Sequence, residues 1–175
     1  IAPPGKEALR RIVVAVDPPA GSGAASCCGI VAAGLSDEGR YIVLADASVE
    51  AARPELWAAA AVEQFRALDA DRIVVEINQG GDMVESVLRA IDATLPITKV
   101  RASRGKHLRA EPIAALYAQG RVRHAGRFAA LEDEMCLFGA DGLADGRSPD
   151  RLDALVWALT ALSEAERGRP RVRGF

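Results

Sequence analysis

Apolar positions follow two rhythms along this 175-residue chain. Ile12 to Val16, Cys27 to Ala33 and Tyr41 to Ala45 are short apolar runs, parted by Gly- or Asp-containing turns of which "SDEGR" is the clearest. The intervals are too short for crossover helices, so the pattern predicts a three-strand antiparallel meander. The rhythm then lengthens. Pro54 suits a first helical position, and Leu56, Trp57, Ala60, Ala61, Gln64, Phe65 and Leu68 trace one face of a helix. From Arg72 the run "RIVVEI" is continuous and β-branched, as in a strand covered on both faces. A helix over Asp82–Ala93 closes before Pro96, a strand follows over Ile97–Val100, and a helix over His107–Ala118 halts at Gly120. "RVRHAG" reads as a short strand or hairpin, "RFAALEDEMCLF" as a helix, "DGLADGRS" as a loop and Pro149–Ala165 as the last helix. The order implies one mixed α/β sheet flanked by helices.

Composition narrows the class. The length is that of one domain with room for a substantial core, and half the residues are hydrophobic with few aromatics, as in ordinary α/β proteins. Charged residues interrupt every apolar run, so no membrane span is predicted. The start, "IAPPGKEALRR", lacks the apolar core of a signal peptide and an initiator Met, so the chain is expected to be a fragment or a processed product. Cys27, Cys28 and Cys136 make neither a metal-ligand spacing nor an even disulfide set, and His107 and His124 are the only histidines; a zinc site is not expected. The loop after Asp17, "PPAGSG", runs on into Ala24, Ala25 and Ser26 rather than Lys and Ser or Thr, so it is not a phosphate-binding P-loop.

Charge is unevenly spread. The net value is −2, yet Lys99, Arg101, Arg104, Lys106, Arg109, Arg121, Arg123 and Arg127 fall in one stretch with Glu111 as its single acid. A basic stripe on an otherwise acidic domain is the electrostatic footprint for a polyanion.

Two strands carry a carboxylate at or near their end, Asp17 in "VVAVD" and Glu76 in "IVVE". Burying such a group is costly unless it is paired or bound to a metal. If the first and fourth strands are neighbours, both carboxylates project at one sheet edge and repel, and a divalent cation removes the repulsion. A third acidic group lies in "SPDRLDALVWAL". Ser148 is a suitable N-cap and Pro149 a suitable first residue, with Asp150 in the first turn. Asp150 and Asp153 share a helix face, and the apolar run after Asp153 must pack on the sheet. Three or four carboxylates without His or Cys suit Mg²⁺ or Mn²⁺. Two such ions about 4 Å apart activate a water and stabilise the leaving oxygen of a phosphodiester.

The strand-borne Asp17, "VVEINQGGDMV" with Glu76, "SRGKHLRAEPIAALYAQGRVRH" and "SPDRLDALVWAL" together resemble the C-terminal nuclease domain of phage-type large terminase subunits, including those of gene transfer agents, from Arg11 to Leu162. The resemblance implies an RNase H-like α/β fold with a mixed central sheet of five or more strands. It further implies two Mg²⁺ or Mn²⁺ ions and an endonuclease that cuts concatemeric double-stranded DNA during packaging into a capsid. Carried over by motif, Asp17, Glu76 and Asp150 are the metal-binding catalytic acids and Asp153 is a fourth. The family often has His-Asp-Asp where this chain has Ser148-Pro149-Asp150, so the third ligand is Asp150 or Asp153, with the first-turn position favouring Asp150. Lys106 and Arg109 match the family's basic stretch, and with Arg104, Arg121 and Arg123 they are the expected DNA contacts. Glycines in "NQGG" allow a sharp turn after Glu76, and the loop after Asp17 becomes a low rim that admits phosphate.

The implied partners are double-stranded DNA, a packaging ATPase domain absent from this chain, a small terminase subunit and a portal, in the cytoplasm of a bacterial host and with no membrane. Residues 1–10 are then a linker from the ATPase, 11–166 the nuclease domain and 167–175 a basic, disordered tail. A RuvC-like junction resolvase and a non-catalytic DNA-docking module of the same fold are the alternatives.

Overall fold

The computed structural model describes residues 8–19, 27–50, 53–77, 81–103, 105–139, 142–143 and 146–167. The meander forms as the pattern predicts: β1 (Leu9–Asp17), β2 (Cys27–Ser36) and β3 (Tyr41–Asp46) pair antiparallel in sequence. The turn between β2 and β3 uses Gly39 at φ 79°, a left-handed conformation that costs glycine least. A two-residue strand, β4 (Val49–Glu50), pairs with β2. After α1 (Pro54–Ala67), β5 (Arg72–Glu76) joins β1 in parallel. Beyond α2 (Gly81–Ile91), β6 (Ile97–Val100) extends the sheet parallel to β5. α3 (Lys106–Ala118) leads to β7 (Val122–His124), which returns to the far edge of the meander, parallel to β3. α4 (Ala129–Leu137), the small hairpin β8 (Phe138–Gly139) and β9 (Gly142–Leu143), and α5 (Asp150–Arg167) are the remaining elements among the described residues. The seven-stranded sheet has the order β6-β5-β1-β2-β3-β7, with β4 beside β2. It is mixed and antiparallel through β1-β2-β3, as expected.

Side-chain parity sorts this sheet into two cores, because successive strand residues face opposite ways. Val13, Ala15, Val31, Ala33, Val43 and Val74 pack with α5, while Val14, Val16, Ile30, Ala32, Ile73 and Val75 pack with α1 and α2. Helices on both faces explain why these strands are apolar throughout rather than alternating. α5 lies across β1 and β2 and buries residues on almost every side, among them Leu152, Leu155, Val156, Leu159 and Leu162.

Several boundaries differ from the expectation. Leu9 and Arg10 open β1 instead of belonging to a linker, and Arg167 ends α5 instead of starting the tail. Residues 1–7 and 168–175, most of the loop after Asp17 and the Asn78-Gln79-Gly80 stretch lie outside the described residues. α1 is rotated from the predicted face: Ala58 and Val62 are buried and Leu56 is 48% exposed. Small Ala58 lets the helix sit close to the sheet, and close packing decides the face over side-chain size. Phe138 leaves the predicted helix to pair with Leu143 in the hairpin. The first bond of α5 runs from the Asp153 N–H to the Pro149 carbonyl at 2.8 Å, so Pro149, not Ser148, caps the helix.

Candidate metal centre

Parity places the two strand acids. Val13, Ala15 and then Asp17 face α5, and so do Val74 and then Glu76. The parallel register Ala15↔Val74 and Val16↔Val75 brings the two carboxylates level on adjacent strands, at the edge where β1 and β5 end. Both are buried, Asp17 at 6% and Glu76 at 5% exposure. Asp17 also pairs with Gly29 of β2. A Cβ there would lie 1.9 Å from the backbone oxygen of Asp150, so only a missing side chain lets the first turn of α5 descend onto the sheet. Arg151 fastens that turn from the other side, with Nε 3.2 Å from Asp46 Oδ2 and Nη2 2.9 Å from Glu50 Oε1. The Leu152 N–H donates to Glu134 Oε2 at 3.1 Å, satisfying a helix-end donor with a carboxylate as the dipole favours.

With α5 so seated, Asp153 is 4% exposed beside the strand acids, and Asp150 is intermediate, nearer the rim. Burial, then the charges of Asp153, Glu76 and Asp150, hold the Asp17 carboxyl well above its usual range, with Lys106 opposing. Burial also raises Asp153, against a hydrogen bond and charge from Lys106, and raises Asp150, against a hydrogen bond from Ser148. The four acids form one electrostatic unit.

Cationic side chains enter this unit. Lys106 Nζ pairs with Asp153 Oδ2 and donates to Ser148 Oγ at 2.8 Å. Burial draws the Lys106 ammonium down, but the Asp153 hydrogen bond and the surrounding acids carry it above its ordinary value. Arg109 Nη1 lies 3.4 Å from Glu76 Oε2, and Nη2 lies 3.8 Å from Asp153 Oδ1. Among the described residues no three or more of His, Cys, Asp and Glu are gathered closely enough to hold a metal ion; the carboxylates stand around ammonium and guanidinium groups instead. The donor set is nonetheless all oxygen, buried and mutually repelling, which fits a hard divalent cation.

The predicted basic contacts divide. Lys106 and Arg109 are at the acids. Arg121 is at the far end of α5, a helix about 27 Å long, bound to Glu166 at 3.1 Å and set over the Tyr41 ring. Arg123 is exposed on β7, level with Ile42 and away from the acidic edge. Arg104 lies outside the described residues. Trp157, which the sequence marks only as part of an apolar run, donates its indole N–H to Glu76 Oε2 at 2.6 Å. Its spacing of i+4 from Asp153 was the available signal, since such pairs share a helix face.

A family model described as the terminase RNaseH-like domain matches residues 14–162. The chain belongs to this terminase family. The large terminase nuclease from thermophilic phage G20c superposes with a TM-score of 0.65 at 16% identity, over 86% of this chain and 81% of that one. That nuclease has also been solved with bound zinc, magnesium and cobalt. The bacteriophage HK97 large terminase gives a TM-score of 0.64 at 18% identity, over 89% of this chain but 40% of that longer one. T. thermophilus RuvC in complex with a Holliday junction substrate gives 0.54 at 16% identity, over 90% and 96%. No curated protein matches the chain. The terminase domain therefore has the RNase H-like fold, its candidate acids at the strand ends and the start of α5. None of its helices, among the described residues, is long and apolar enough to cross a membrane.

Proposed function

We propose that this terminase domain is a divalent-metal-dependent endonuclease that cuts concatemeric double-stranded DNA during genome packaging in the bacterial cytoplasm. The observation that carries the reading is the convergence of Asp17, Glu76 and Asp153, three buried carboxylates from three elements, with Asp150 at the rim. That the G20c nuclease has been solved with bound zinc, magnesium and cobalt supports the use of a divalent cation.

Asp17, Glu76 and Asp153 would hold Mg²⁺ or Mn²⁺, with Asp150 as a further ligand on the solvent side. Burial favours Asp153 over Asp150 as the third principal ligand, the reverse of the preference drawn from the first-turn position. Two bound ions would supply an activated water and stabilise the departing oxygen. The chain's own residues set the stage for that chemistry. Lys106 and Arg109 balance the acids before metal enters, and Lys106, half exposed at the rim, is placed to meet a phosphate. Gly29 and Arg151 keep the helix-borne acids against the strand-borne ones.

Nicking of supercoiled plasmid by the purified domain tests the proposal. Cutting that requires Mg²⁺ or Mn²⁺ and is lost in Asp17→Asn, Glu76→Gln and Asp153→Asn is the expected result. The absence of cutting with either metal would favour a DNA-docking module. The likeness to RuvC supports a second reading as a junction resolvase, which would show preferred cleavage of four-way junctions over linear duplex. The ATPase domain, small subunit and portal remain the partners this reading implies.

A further inference from the structure

Glu76 is held unevenly. The Trp157 indole N–H, at 2.6 Å, and Arg109 Nη1, at 3.4 Å, both address Oε2, and neither addresses Oε1. The two partners brace each other, with the Arg109 guanidinium 4.8 Å above the Trp157 ring. Arg109 and Trp157 are themselves nearly buried, at 11% side-chain and 8% residue exposure. The Arg109 Nε is a buried donor without a hydrogen-bond partner, so the guanidinium is placed by the ring and the carboxylates and not by satisfaction of all its donors. A carboxylate with one oxygen fixed by hydrogen-bond donors presents the other oxygen in a defined direction.

We propose that Trp157 is a positioning residue for the metal centre: its N–H, reinforced by Arg109, fixes Glu76 Oε2 so that Glu76 binds a divalent cation through Oε1 alone. The inference rests on the metal-centre reading above and adds to it a role for a residue outside the acidic set. A tryptophan serves here because its ring lies against the Arg109 guanidinium of α3 while its single donor reaches Glu76 at the end of β5. Phenylalanine would keep the packing and lose the donor.

The test therefore replaces Trp157→Phe and measures Mn²⁺ binding calorimetrically beside the wild type, with far-UV circular dichroism to establish that the variant is folded. The expected result is an affinity weakened about 10- to 100-fold. Equal affinity in a folded variant overturns the inference and leaves the metal centre standing; no Mn²⁺ binding by the wild type overturns both. A second measurement needs no variant at the site. Trp57, the other tryptophan, is buried in the opposite core with α1 and α2, so its indole N–H resonance is an internal reference, assigned with Trp57→Phe. Titration with Mg²⁺ should shift the Trp157 indole N–H while that of Trp57 stays in place. A Trp157 resonance that does not move at saturating Mg²⁺ overturns the proposal.

Discussion

Asp17 shows at the scale of one residue how a site is built against stability. Its carboxyl is buried, faces three other acids, and is held above the usual range. The folded chain thus binds this proton more tightly than the unfolded chain. The resulting stability is fully present below the unfolded carboxylate pKa of about 3.9 and is lost as pH rises through the raised folded value. Divalent cations bind the ionised form, so the gain in melting temperature from Mg²⁺ should grow over the same interval. Thermal melts from about pH 4 to about pH 8 with and without Mg²⁺ check this; a metal effect independent of pH contradicts it. Asp17→Asn should raise the metal-free melting temperature, by ~2–4 °C for each kcal/mol of repulsion relieved, while ending nicking. Both carboxylate positions, Asp17 and Glu76, were legible from the strand pattern. Trp157 was not, because an indole in an apolar run reads as core until its N–H is seen to meet a carboxylate.

Between elements, the decisive contact is the seat of α5 on β2. A methyl group at Gly29 would meet the Asp150 backbone oxygen at 1.9 Å, and backbone cannot yield as a side chain does. Gly29→Ala should cost about 1–3 kcal/mol, as overpacking does, and reduce nicking more than tenfold by displacing Asp150 and Asp153. Gly34 on the same strand provides the control, since a Cβ there meets only side-chain ends, Leu9 Cδ1 at 2.8 Å and Leu44 Cδ1 at 3.4 Å, and no backbone. Gly34→Ala should leave nicking within about twofold of wild type. Chemical denaturation and plasmid nicking of both variants decide the matter. The strands and helices themselves were largely readable, since each rests on local periodicity. The rotated face of α1 and the β8–β9 hairpin were not, because close packing at Ala58 and the pairing of Phe138 with Leu143 depend on partners outside the local pattern.

Across the whole molecule, the basic stretch that looked continuous in sequence is split by the fold. α3 delivers Lys106 and Arg109 to the acids, while the connection from α3 to β7 places Arg121 at the other end of α5, where Glu166 binds it. A chain of net charge −2 should hold DNA weakly and with steep salt dependence. Lys106→Ala should flatten the slope of log affinity against log salt by about 1, and Arg121→Ala should leave it unchanged. Fluorescence anisotropy with labelled duplex over a salt series measures both, and a flattened slope in Arg121→Ala would place the DNA path across the whole basic stretch.

The sequence by itself determined the principal strands of the sheet, the two-sided burial of β5 and the all-oxygen character of the candidate ligands, because strand parity and helix period act over a few residues. Only the tertiary structure decided which charges meet. The contacts of Glu76 with Trp157, 81 residues away, and of Asp153 with Lys106, 47 away, depend on where α5 and α3 come to rest. That resting place is set by packing across the sheet, including the absence of a single methyl group at Gly29.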